Sequence, residues 1–216
     1  MLSLLMVLPI FIFLFLHAFG ENHYKVPIFY PEDVIGSNKD GKIVYDTVYH
    51  VLPTFHFIDQ SGDSVTTTSL NGKILVSDFI FTRCQGPCPI MTNQLVRVQE
   101  AFKNSDVIQI LSHTVDPEYD TIGVLKQFAN RFKADPKIWH FVTGKSADLY
   151  NLSGPNGYKL ALQAGNGDPE TIDHSSKLVL VDKERRIRGY YNGTDEKEVD
   201  RLILETKILL HEYGIN

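Results

Sequence analysis

The sequence predicts an α/β fold with parallel strands at its centre, and three observations carry that prediction. The segment KILVSDFIF, residues 73–81, is an almost unbroken apolar run rich in branched and aromatic side chains, the pattern of a strand buried on both faces. Downstream of it, strand-like and helix-like periodicities alternate to the C-terminus, as parallel strands joined by crossover helices require. Finally, 216 residues with 43% hydrophobic content suffice for one domain with a sizeable core.

The elements follow in order. Residues 2–16 are apolar apart from Ser3. A full membrane span takes about 20 apolar residues, so residues 1–20 read as a signal peptide or an N-terminal membrane anchor. Ala18 and Gly20 suit cleavage, whereas Phe19 and the lack of a preceding Lys or Arg suit retention. Either fate puts the domain in the periplasm or another extracytoplasmic space, secreted or anchored to the cytoplasmic membrane by residues 2–20. Residues 21–48, polar and aromatic with turn residues, read as a linker ending in a short extended segment. The domain is expected over residues 49–213. It begins with two alternating runs, TFHFI and SVTTT, around Asp59 to Gly62, which is hairpin chemistry. After the central strand, Ile90, Leu95, Val98 and Phe102 recur at helical spacing over residues 89–103, with Pro89 at the first helical position. A strand over 107–116, a helix over 121–132 and a strand over 138–144 come next. A short helix over 145–153 follows, with Ser146 as its cap. A turn-rich stretch then leads to a hairpin turning at Asp182 to Arg185, and a helix from Asp195 closes the chain.

The formal charge of −5, with both signs interspersed, shows none of the basic patches that nucleic-acid binding leaves. Partners are expected among proteins, small molecules or metal ions. The aromatic cluster Phe55, Phe57, Phe79 and Phe81 reads as core packing at strand periodicity. Asp116, Glu118 and Asp120 read as turn and cap residues, because their spacing lacks the further ligands of a calcium loop.

The chemistry concentrates in FTRCQGPCPIMT, residues 81–92, which holds the only two cysteines, Cys84 and Cys88. A redox couple, a pair of metal ligands and a structural crosslink are the three readings. Closing so short a loop removes little unfolded-state entropy, which weakens the crosslink. Cys84 follows the C-terminal end of the central strand and Cys88 falls about at the N-cap of the next helix. Ligands bind at this edge of open α/β sheets. The helix N-terminus is expected to lower a thiol pKa, and a thiolate serves equally as nucleophile and soft ligand. Four-residue spacing puts both side chains on one side of a helical turn, within reach of one ion or of each other, so both readings stay open.

A copper site that also accommodates Cu(II) adds an imidazole to two thiolates. Of eight histidines, His17 lies in the leader, His23 in the linker, His50 and His56 around the first hairpin, and His211 on the last helix. His140, inside a strand, reads as a hydrogen-bonded core residue. His113 ends the strand after the motif helix, and His174 joins the loop AGNGDPETID to the strand KLVLV. A loop residue on a rigid base is a common ligand position, which ranks His174 ahead of His113.

FIFTRCQGPCPIMT, LSHTVDPEYDTIGVLKQFANRF, WHFVTG and DHSSKLVLVDKERRIRGYY, in that order, resemble the Sco/SenC family of copper-binding proteins over about residues 49–210. The resemblance implies a thioredoxin-like fold, a central mixed sheet flanked by helices with an added N-terminal β-hairpin and a β-hairpin insertion. It implies one copper ion per chain, as Cu(I) or Cu(II), held by Cys84, Cys88 and His174. It further implies a metallochaperone for cytochrome c oxidase assembly that delivers copper to the dinuclear copper site or prepares the receiving thiols. The alternative is an extracytoplasmic thiol-disulfide oxidoreductase using the Cys84/Cys88 couple. Expected partners are the oxidase's copper-bearing subunit or another copper chaperone. The chain itself is expected to be monomeric, touching membrane only through an uncleaved N-terminal segment. Many relatives carry an acidic residue in the middle of the motif where this chain has Gly86.

Overall fold

A computed structural model of the protein describes residues 8–15, 24–39, 41–160 and 175–215. Residues 8–15 form an exposed apolar helix, α1, and among the described residues no helix is long and apolar enough to cross a membrane. The remaining elements are β1 (Pro31–Lys39), β2 (Lys42–Tyr49), β3 (His56–Asp59), β4 (Ser64–Thr66), β5 (Ile74–Ile80) and α2 (Pro87–Phe102). They continue with β6 (Ile108–Thr114), α3 (Ile122–Arg131), β7 (Trp139–Thr143), α4 (Ser146–Ser153), β8 (Lys177–Val181), β9 (Ile187–Asn192) and α5 (Glu196–Glu212).

Seven strands form one mixed sheet in the order β4-β3-β7-β6-β5-β8-β9. β5, β6 and β7 run parallel, while β3 and β8 pair antiparallel to β7 and β5. Every residue of β5 and β6 is buried, which explains why the first of them reads as an unbroken apolar run. α2 packs against α5, and α3 lies over β7 and β3. These helices bury one stripe each, for example Met91, Leu95, Val98 and Phe102 of α2. Gly193 lets β9 approach this helix closely, since a Cβ there would stand 2.9 Å from both Met91 and Leu178.

Turn chemistry accounts for the hairpins. Asp59 accepts from the Ser61 and Asp63 N–H groups, and Gly62 takes φ +89° between β3 and β4. Asp182 does the same for Glu184 and Arg186 between β8 and β9, where Arg185 sits at φ 63°. The cap of α4 differs from expectation. Lys145 takes the cap position and Ser146 is the first helical residue, with no side-chain bond to the helix.

The larger difference lies in residues 24–48, which the sequence predicts to belong to a linker ending in a short extended segment. Val26 is buried, and the Arg188 guanidinium donates to the Val26 and Pro27 carbonyls and pairs with Asp182 and Glu212. The Phe29 N–H bonds to the Ile187 carbonyl, on β9. Residues 31–49 form a separate antiparallel hairpin, β1/β2, rather than only a short extended segment. Its base is held by His50, whose ring bridges Glu32 at 3.0 Å and the Gly157 carbonyl at 2.8 Å. The polar content that suggests a linker arises because neither face of this hairpin is covered.

Candidate metal centre

β5 and β6 end side by side, with Ile80 opposite Thr114, and the cysteine loop begins there. The chain passes Phe81, turns at Thr82 and Arg83, and closes that turn with a bond from the Cys84 N–H to the Phe81 carbonyl at 3.1 Å. Gly86 caps α2, Pro87 is its first residue and Cys88 its second. The helix thus starts two residues earlier than Pro89 suggests, and Cys88 lies in the first turn rather than at the cap. Both prolines fit because the first N–H groups of a helix have no partner inside it. Thr92 then donates to the Cys88 carbonyl at 2.7 Å.

The two thiols are free, and both are buried, Cys84 at 8% exposure and Cys88 at 3%. Burial, reinforced by the neighbouring Cys84 thiol, pushes the Cys88 thiol far above its usual range. The lowered pKa expected from the helix N-terminus is not found at Cys88, because desolvation of a buried thiolate outweighs a partial helix charge.

The acidic segment after β6 braces this loop. Asp120, fully buried, accepts from the Thr82 N–H at 3.1 Å and from the hydroxyls of Thr82 and Thr114 at 2.5 Å each. Asp116 pairs with Arg83 at 2.5 Å, and the Arg83 guanidinium lies 4.1 Å over the Tyr119 ring. Turn bonds from Tyr119 and Asp120 to the Asp116 carbonyl complete the segment. Asp120, through Thr82, and Asp116, through the Arg83 side chain, therefore brace the loop that presents Cys84. Among the described residues no group of three or more His, Cys, Asp or Glu side chains is placed to hold a metal ion.

The histidines separate clearly. His113 is fully buried in an aromatic box, stacked on Phe79 at 4.9 Å with Phe57 and Tyr158 within 5.6 Å. Desolvation drives its pKa down to about 3, and its Nδ1 has no partner. His140 bonds Asp59 at 2.8 Å and Gln109 at 2.9 Å, as a core histidine should. His56 is exposed beside Ser64, and His211 is exposed on α5. His17, His23 and His174 lie outside the described residues. The chain returns at Ser175, two residues before β8. Because β8 runs antiparallel to β5, its beginning stands at the edge where β5 ends and the cysteine loop starts.

One group escaped the sequence reading. Asp78, the single acid within β5, is fully buried, accepts from Ser112 at 2.6 Å and leaves its other oxygen without a partner. Desolvation lifts its pKa to about 7, and it acts electrostatically on Cys88. A carboxylate inside an apolar run was the available signal.

The family model described as SCO1/SenC matches residues 45–208, which contain the cysteine loop, its bracing segment and the strands that carry them. The chain belongs to the SCO1/SenC family. The SCO1 protein homolog of Bacillus subtilis (strain 168) is 30% identical to this SCO1/SenC chain over 168 residues, 77% of it and 86% of the relative. The solved structure of BsSco, a member of the Sco family of cytochrome c oxidase assembly proteins, superposes with a TM-score of 0.65 at 26% identity. That match covers 84% of this chain and 98% of BsSco. The structure of Bradyrhizobium japonicum ScoI with copper bound superposes with a TM-score of 0.58 at 27% identity, covering 70% and 97%. The fold of this SCO1/SenC domain is accordingly thioredoxin-like, with the hairpins in addition.

Proposed function

We propose that this SCO1/SenC protein binds one copper ion per chain through Cys84, Cys88 and His174, and delivers it during cytochrome c oxidase assembly. The observation that carries the reading is the pair of free, buried thiols at the start of α2, four residues apart and held by a loop that Asp120 and Arg83 fasten. Two adjacent sulfurs form a soft donor set that suits Cu(I), and an added imidazole suits Cu(II). The return of the chain to the same sheet edge at Ser175 supports His174 as that imidazole. The enclosed surroundings of His113 argue against it as the third ligand. The receiving partner is proposed to be the copper-bearing subunit of the oxidase or another copper chaperone, met by a monomer. Residues 1–20 are proposed as a signal peptide or anchor that places the domain outside the cytoplasm.

The pairing of two free thiols four residues apart also favours a second reading, thiol-disulfide exchange. In it, Cys84 and Cys88 pass two electrons and two protons to a partner disulfide, leaving two thiols on the partner and a disulfide here.

Metal analysis of the reduced full chain, purified with its own compartment's metals, tests the copper reading. Copper near one per chain is expected, lost in Cys84→Ser and His174→Ala and retained in His113→Ala. Stoichiometric zinc, or equal losses from both histidine substitutions, would overturn it. Oxidase assembly that survives His174→Ala but fails in Cys84→Ser would assign the protein to thiol exchange instead.

A further inference from the structure

The β1/β2 hairpin has an uncharged face that none of the described residues covers. Cross-strand register places Val34 opposite Thr47, Gly36 opposite Tyr45 and Asn38 opposite Ile43, so these six residues share one face. Val34, Ile43 and Tyr45 are 57%, 66% and 70% exposed. The close approach confirms the arrangement: a Cβ on Gly36 would meet the Ile43 and Tyr45 side chains at 3.3 Å, so both lean over the glycine and form one smooth apolar surface. The opposite face carries Asp33, Lys39, Lys42 and Asp46, interspersed with Ile35, Ser37, Val44 and Val48. A two-stranded hairpin with neither face buried is marginal in water, and contiguous exposed apolar surface marks a contact site.

Chain geometry identifies the contact. Helix α1 is described as far as residue 15, and Val26 is already fixed on the domain by burial and by Arg188. Eleven residues of fully extended chain reach at most about 40 Å. The hairpin itself projects roughly 30 Å from its His50-bound base, at about 3.4 Å per residue. With the leader retained in a bilayer, as proposed above, Val26 stays within about 40 Å of that bilayer, a distance comparable with the length of the hairpin. Tyr45 on the uncharged face suits the aromatic preference of the membrane interface.

We propose that the Val34/Ile43/Tyr45 face rests on the lipid bilayer that receives the leader, holding the domain at the membrane surface. The copper reading is not required for this. The test is quenching of a new tryptophan in the full chain on vesicles of phosphatidylcholine and phosphatidylglycerol whose acyl chains carry bromine. Trp139, fully buried, is the internal reference. Tyr45→Trp is expected to lose at least about half its added emission, as an interfacial side chain does on entering the acyl boundary. Asp46→Trp, on the other face, is expected to keep its emission. Failure of the protein to bind vesicles, equal quenching at both positions, or a vesicle-bound Tyr45→Trp variant whose added emission stays unquenched would each overturn the proposal. So would protection of the indole introduced by Tyr45→Trp that follows protein concentration rather than lipid, since that assigns the face to a second copy of the chain. Unchanged copper content in Tyr45→Trp keeps this result separate from the fate of the metal site.

Discussion

Two buried groups give this domain opposing responses to pH, and replacing either one exposes the other. Asp78 is fully buried with an orphaned oxygen, and its pKa rises from 3.8 to about 7. A raised carboxyl pKa means that the native state holds a proton the unfolded chain has lost. Stability is then lost as pH rises from about 4 to about 7, by about 4 kcal/mol in all at 1.36 kcal/mol per pH unit. His113 has the opposite sign. Its pKa falls from 6.5 to about 3, so the native state binds fewer protons than the unfolded chain, and stability is lost as pH falls below 6.5. Between about pH 4 and 6.5 the two effects are each about 3 kcal/mol and cancel. Asp78→Asn, which keeps an acceptor for Ser112, leaves the histidine effect alone. Its stability is expected to climb relative to wild type by about 3 kcal/mol across that window, and His113→Phe to decline by as much. Equilibrium denaturant unfolding of the reduced, chelated full chain in mild detergent at stepped pH measures both. An Asp78→Asn curve parallel to wild type would show that the carboxyl ionises normally and refute the reasoning.

Asp120→Ala removes the acceptor of three donors, a loss of about 3 kcal/mol and of about 6–12 °C in Tm. Faster alkylation of Cys84 in the folded state is expected with it, and unchanged labelling would dissociate the brace from the loop. Arg188→Ala removes one of the two guanidinium partners of the buried Asp182, leaving Arg186, and frees residues 24–29, with an expected loss of about 2 kcal/mol and new proteolytic cleavage before residue 30. Gly86→Asp is expected to leave stability within about 0.5 kcal/mol. A Cβ there meets nothing within 4 Å, and φ is −106°, so a thermal melt far below wild type would contradict the open geometry.

Much of the fold is legible in local pattern. The apolar run of β5, the turn residues at Asp59 and Asp182 and the stripe on α5 each report a contact made by neighbours in sequence. The cysteine loop is legible for the same reason, since its stiffness comes from its own prolines and from the start of α2. Errors arose where distant chain decides. Residues 24–48 resemble a linker because their anchors, Arg188 and Gly157, are far away in sequence. The pKa of Cys88 follows burial by the whole domain rather than the helix that carries it. Asp116 and Asp120 read as turn formers, and the turn is real, but their partners Arg83 and Thr82 stand across the strand pair.

By itself the sequence determined the α/β class, the family and the two sulfurs, because periodicity and motif spacing are local properties of a chain. Only the tertiary structure decided that His113 is enclosed, that Asp78 is stranded without a second partner and that the hairpin is bare on both faces. Burial is a sum over neighbours from the whole molecule, and no stretch of sequence carries that sum.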